Sequence, residues 1–221
     1  MIEQHIRSFV RRSGRIGSGQ ARHLKETLPK IEIPFSDTPV DLNLAFGRDN
    51  PKIMEIGFGM GEATAQMALE SPDTDFWCLD VHLAGAGALS KKVAENNLSN
   101  IRITVFDAVE VLKKMVLPET LNGANIFFPD PWHKKRHQKR RLIQAPFVEL
   151  LVSRLKNGAI LRTATDWEEY ALAMLAVFQK NPNLQNCYKD FAARENRPLS
   201  KFEQRGLNRQ HGIWDLIFEK K

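Results

Sequence analysis

From Lys52 onward the chain alternates between two hydrophobic spacings. Short apolar runs rich in Ile, Val and Phe recur at Ile53–Ile56, Phe76–Val81, Ile101–Phe106, Asn125–Phe128 and Ala159–Thr163. Segments of helical period lie between and after them, over about 60–70, 84–97, 108–116, 145–157 and 167–180. Strand and helix in repeated alternation predict a parallel sheet with helices on both faces. Pro146 suits the first turn of the fourth helix and Gly158 its C-terminal stop. Past the fifth helix the pattern changes. Runs near Asn186–Phe191 and over Ile213–Phe218 have no helical period between them, so an antiparallel pair is expected to complete a mostly parallel, seven-stranded sheet.

Residues 1–30 read differently. Arg7, Arg11, Arg12, Arg15, Arg22 and Lys25 are interleaved with Ser13, Gly14, Gly17, Ser18 and Gly19, and few large apolar residues accompany them. A flexible basic N-terminal arm is expected over 1–30, ahead of a single domain over 31–221. Either a solvated tail or an arm that settles on a phosphate backbone fits that composition.

With 221 residues, 43% hydrophobic and 26% charged, the chain can bury a sizeable core, which excludes a fibrous or wholly disordered protein. Lys and Arg exceed Asp and Glu by 6, an excess that favours a polyanionic partner. Cys78 and Cys187 stand far apart with no His or Cys at ligand spacing, so no disulfide framework and no metal are expected, and a reducing compartment fits. No apolar stretch approaches the roughly 18 to 20 residues of a membrane span. A cytoplasmic protein without a membrane partner is expected, and a monomer is the simplest form.

Candidate chemistry begins where the first strand meets the first helix, at Glu55-Ile56-Gly57-Phe58-Gly59-Met60-Gly61. Glycines there let the backbone turn tightly against a ligand, at the edge where open α/β sheets bind. The spacing is G-x-G-x-G followed by Glu62, not the G-x-G-x-x-G of dinucleotide sites, and a carboxylate beside pyrophosphate is unfavourable. A cationic ligand without phosphate, such as S-adenosylmethionine, suits acidic surroundings better. Asp80 ends the second strand 19 residues past Gly61 and can accept from ribose hydroxyls; Asp107 ends the third, where it either meets an adenine amine or caps the next helix.

After the fourth strand runs Phe128-Pro129-Asp130-Pro131-Trp132-His133-Lys134, continuing to Arg141. Two prolines fix the backbone around Asp130, and Trp132 offers a flat face for a base. Six of the eight residues from Lys134 to Arg141 are Lys or Arg. Such a run is often only a solvated face, but beside this loop it can neutralise phosphates and place a nucleotide against Asp130.

These residues resemble the bacterial tRNA (guanine-N7-)-methyltransferases, which are class I S-adenosylmethionine enzymes. The resemblance spans nearly the whole chain and rests on Arg7 to Arg12, Glu55 to Gly61, Phe128 to Arg141, Ala164-Thr165-Asp166-Trp167, Lys201-Phe202-Glu203-Gln204-Arg205-Gly206 and Gly212 to Leu216. It implies a Rossmann-like class I methyltransferase fold and methyl transfer to N7 of the guanosine at position 46 in the tRNA variable loop. Glu55, Gly57, Gly59, Gly61, Asp80, Asp107 and Asp130 would hold the cofactor, and Asp130 would also be catalytic. Lys134, Asp166, Ser200, Lys201, Phe202 and Glu203 match substrate-binding positions. Arg136, His137, Gln138, Lys139, Arg140 and Arg141 match the RNA-contact stretch. Asp80 stands where the family has Glu, and Ser200 where Thr is common.

Guanine N7 carries an unprotonated lone pair, so catalysis needs alignment and negative charge more than a base. Asp130 and Asp166 are expected to accept from the guanine N1–H and exocyclic amine and so aim N7 at the methyl group. Two competing readings are methylation of an exocyclic base amine, by analogy with acid-or-amide, Pro, aromatic loops, and an idle RNA-binding module that keeps the fold. Nicotinamide-dependent oxidoreduction is weakened by Glu62.

Overall fold

The computed structural model describes residues 8–9, 16–193, 198 and 212–221. The elements in chain order are α1 (Ser18–Glu26), α2 (Leu28–Ile31), α3 (Leu42–Phe46), β1 (Lys52–Ile56), α4 (Glu62–Glu70), β2 (Asp75–Asp80), α5 (Leu83–Glu95), β3 (Ile101–Val105), α6 (Ala108–Lys114), β4 (Leu121–Phe127), a 3-10 turn (Lys135–Arg140), α7 (Ala145–Arg154), β5 (Leu155–Thr165), α8 (Glu168–Lys180), β6 (Leu184–Asn186) and β7 (Trp214–Lys220). Among the described residues one sheet contains all the strands, in the order β3-β2-β1-β4-β5-β7-β6. The first five are parallel, while β7 runs antiparallel to both β5 and β6. The chain reverses direction across the sheet between β1 and β4, which opens a crevice at the carboxyl ends of those strands.

Alternation along the strands sorts the core into two layers. Met54, Trp77, Leu79, Ala124, Ile126 and Leu161 pack with Val111, Leu112, Val148, Leu151, Tyr170 and Phe178 of α6, α7 and α8. Their neighbours Phe76, Cys78, Ile101 and Ile103 face the other way, onto Leu28, Ile31, Ala65, Ala68, Leu89 and Val93. Phe218 is buried against Phe178, their rings 5.1 Å apart, while Trp214 stays half-buried.

Two expectations need correction. The basic segment is not loose from Ser18 onward, because α1 packs on α5. The Gln20 side chain donates to the Ala84 carbonyl at 3.2 Å, and a Cβ at Gly87 would come within 2.8 Å of the Gln20 carbonyl oxygen. Gly87 admits this close approach, and Leu24, Leu28 and Ile31 supply the apolar contact. Arg7, Arg11, Arg12 and Arg15 lie outside the described residues. Gly158 does not stop a helix either: α7 ends at Arg154, and Gly158 lies inside β5 at φ +78°. There the register slips, so that Leu121 and Gly123 of β4 pair with Leu155 and Ile160 of β5. The left-handed glycine absorbs the extra residues.

Candidate active site at the carboxyl edge

The glycine turn leaves β1 with Gly57, Gly59 and Gly61 all at positive φ, between +57° and +80°. A Cβ at Gly57 or Gly59 would meet nothing within 4 Å, so this backbone borders open space that a ligand can approach. Gly61 has a different reason. A Cβ there would lie 2.8 Å from Leu89, so glycine lets α4 start hard against α5. Behind the turn, Gly85 leaves room for the Gly59 carbonyl, which a Cβ would meet at 2.2 Å.

Asp80 ties this turn to the end of β2. Its Oδ2 accepts from the Gly59 N–H at 3.1 Å, while Oδ1 accepts from the Val81 and His82 N–H groups at 2.7 and 3.0 Å. The His82 ring lies 2.9 Å from the same Oδ1. At the end of β3, Asp107 caps α6, its Oδ1 accepting from the Val109 N–H at 2.9 Å. Only one carboxylate oxygen is used for that cap.

These groups share a cavity of about 190 Å³, lined by Gly57, Leu79, Asp80, His82, Phe106, Asp107, Phe128, Pro129 and Asp130 among others. Its walls come from the carboxyl ends of β1, β2, β3 and β4, at the reversal of strand order. A larger hollow of about 420 Å³ lies at the opposite edge, around Lys52, Asn122 and Lys156, where such sheets do not bind ligands. Ser8 and Phe9 also line the site cavity, and the Ser8 carbonyl accepts from the Trp132 indole N–H at 3.1 Å. No sequence pattern places that N-terminal pair there.

Glu55 lies outside that lining. It is 3% exposed in β1, and Oε2 meets no hydrogen-bond partner among the described residues. Burial pushes its carboxyl up to about 7, with a smaller rise from Asp80 and partial relief from the Thr64 hydroxyl. Burial likewise raises the Cys78 thiol, with the neighbouring Glu55 charge adding to it, so Cys78 is no reactive thiolate.

Asp130 is exposed at the cavity mouth, bracketed by Phe128 at φ +51° and Trp132 at φ +47°. Asp166 follows β5, and Trp167, not Asp166, holds the N-cap position of α8, with no side-chain cap. The loops carrying the two acids touch through the His133 and Trp167 rings, 4.2 Å between centroids. Lys134, Lys139 and Arg136 are exposed; His137, Gln138 and Arg140 are half-buried, with the Arg140 guanidinium 5.2 Å from the Trp132 ring. Trp132 is therefore already engaged on one face and at its N–H.

Arg141 departs from the expected RNA contact. It is 7% exposed and turned inward, donating to the Pro131 carbonyl at 2.8 Å and to both Glu169 oxygens at 3.2 and 3.1 Å. Its bonds to Glu169 hold that carboxyl below the usual range. Ser200, Lys201, Phe202 and Glu203 lie outside the described residues.

A doubly wound sheet with an acidic, glycine-bordered cleft at its reversal point defines a class I methyltransferase architecture. Solved structures with this fold include the 16S rRNA methyltransferase KamB, with a TM-score of 0.60 at 10% identity, covering 83% of this chain and 95% of that one. The antibiotic-resistance methyltransferase Kmr gives 0.58 at 12% identity, covering 84% and 94%. The family described as "Putative methyltransferase" matches residues 49–216, and the chain belongs to that family. A tRNA (guanine-N(7)-)-methyltransferase of Aromatoleum aromaticum is 56% identical over 98% of this chain and 84% of its own length. Proteins of the same name from Paraburkholderia xenovorans and Dechloromonas aromatica are 54% and 53% identical, covering 99% and 98% of this chain and 84% and 89% of their own lengths.

Proposed function

We propose that this protein transfers a methyl group from S-adenosylmethionine to N7 of a guanosine in tRNA, at position 46 of the variable loop. The observation that carries the reading is the convergence of Asp80, Asp107 and Asp130 on one cleft bordered by Gly57, with cationic residues along its outer lip. The names and identity of the relatives supply the base and the RNA class.

Asp80, already oriented by the turn it holds, accepts from ribose hydroxyls. The Asp107 oxygen outside the cap accepts from the adenine amine. Gly57, Gly59 and Gly61 admit the ligand close to the backbone, and Glu55, in β1 just before the turn, helps to hold it. The bound cofactor supplies a methyl group on a sulfonium, electrophilic without further activation. Asp130 and Asp166 accept from the guanine N1–H and exocyclic amine, which points N7 into the cleft. No proton has to leave N7, and positive charge passes to the purine, where the two carboxylates favour it. Arg136, Lys139 and Lys134 neutralise phosphates flanking the splayed base, and Ser200 to Glu203 complete the substrate side.

The test is incubation with an unmodified tRNA transcript and methyl-labelled S-adenosylmethionine, followed by nucleoside mass spectrometry and mapping by borohydride-induced cleavage. One 7-methylguanosine at position 46 is expected. Methylation of an exocyclic amine overturns the choice of atom, and absence of cofactor binding in equilibrium dialysis leaves only an RNA-binding module.

A further inference from the structure

We propose that Arg141 and Glu169 form a positioning pair that holds Asp130 in its working geometry, and that Arg141 does not touch RNA. The inference rests on the methyl-transfer reading above and concerns how its central carboxylate is kept in place.

The backbone around Asp130 is unusual. Phe128 and Trp132 are both non-glycine residues in the left-handed region, and they bracket the Pro129-Asp130-Pro131 tripeptide. Such conformations persist only where surrounding contacts over-determine them. On the near side, the Phe128 N–H donates to the Ala164 carbonyl at 2.7 Å. On the far side, the Pro131 carbonyl receives the Arg141 Nε–H at 2.8 Å. Arg141 is in turn fixed by its fork on Glu169 and by the Tyr170 ring, 4.7 Å from its guanidinium carbon. Tyr170 is fully buried and accepts from the Ile143 N–H at 3.1 Å.

The same Glu169 takes the Gln138 amide on both oxygens, at 2.9 and 3.1 Å. One carboxylate at the start of α8 thus staples the inner side of the cationic turn and, through Arg141, the Asp130 loop. Asp166 lies three residues before it on the same chain segment. The pair therefore fixes the Asp130 loop relative to the segment bearing Asp166, while Arg136 and Lys139 stay exposed for phosphates. Lysine cannot replace this arrangement, because one ammonium cannot serve a carbonyl and both carboxylate oxygens with planar fork geometry.

The experiment compares Arg141→Lys, Glu169→Gln, their double variant and Arg136→Ala in full-length protein. Single-turnover methyl transfer and tRNA affinity are both measured at several salt concentrations. Arg141→Lys is expected to slow transfer by about tenfold or more with tRNA affinity and its salt slope unchanged. Glu169→Gln is expected to slow it less, and the double variant to be no slower than Arg141→Lys. Arg136→Ala is expected to weaken binding and lower the salt slope by about 1. Arg141→Lys that behaves like Arg136→Ala, or that changes neither quantity, overturns the inference. If Arg141→Lys does not fold, Glu169→Gln decides, since an unaltered transfer rate there has the same force. Wild-type protein that methylates no tRNA refutes the functional reading instead.

Discussion

Replacing Glu55 by Gln removes a carboxyl that the fold keeps out of water while preserving its size. In the folded chain this group is held up to about 7 from an ordinary 4.5, chiefly by burial. Below about pH 4.5 both folded and unfolded chains keep the proton, and the site costs nothing. Between 4.5 and about 7 the unfolded chain releases its proton while the folded chain retains it, so stability falls as pH rises; above about 7 the loss is complete. That gap corresponds to about 3 kcal/mol. For a domain of this size it is worth roughly 6 to 12 °C in melting temperature. Thermal unfolding of wild type and Glu55→Gln across pH 4 to 8.5, without cofactor, isolates the effect, because the other titrating groups are common to both. The variant should match wild type at the acid end and exceed it by about 3 kcal/mol at the alkaline end. A difference that stays flat with pH would refute the claim that Glu55 carries the proton.

Other expectations bear on the turn, the cap and the loop. Gly61→Ala places a Cβ 2.8 Å from Leu89 at a positive φ, so it should destabilise by about 2 to 5 kcal/mol in denaturant unfolding. Asp107→Ala removes the α6 cap, costing about 1 kcal/mol, and should also weaken cofactor binding measured by calorimetry. Asp107→Ser should recover much of the stability but not the affinity. Asp130→Asn keeps the loop's size and loses its charge; single-turnover transfer at saturating cofactor should fall by about 10 to 100-fold, and an unchanged rate would remove Asp130 from its role.

Much of this fold is legible in the chain because five apolar runs and the helical segments around them carry opposite periods. Ile53 and Met54 go to opposite layers as alternation requires, and Pro146 opens α7 as its fixed φ suggests. Helix α1 escapes that reading. Its mean composition is polar, and what seats it is contact with Ala84 and Gly87 of α5, 60 or more positions away. Gly158 misleads because a glycine after a helical period suits a helix stop and a strand bulge equally well.

The site divides in a similar way. Asp80, Asp107 and Asp130 come to one cleft because strand ends in a parallel sheet share an edge, which spacing alone indicates. Arg141 sits in a run of cations and looks like its neighbours; only tertiary contact with Glu169 and Pro131 turns it inward. Likewise, nothing local to Ser8 and Phe9 connects them to a cavity more than 40 residues further along.

The most direct test of the central claim is a crystal structure with S-adenosylhomocysteine bound. The sulfur should lie in the cleft between the ends of β1 and β4, with Asp80 on the ribose hydroxyls and Asp130 facing the sulfur from the loop. A ligand seated elsewhere, or a ribose that Asp80 does not reach, would contradict it.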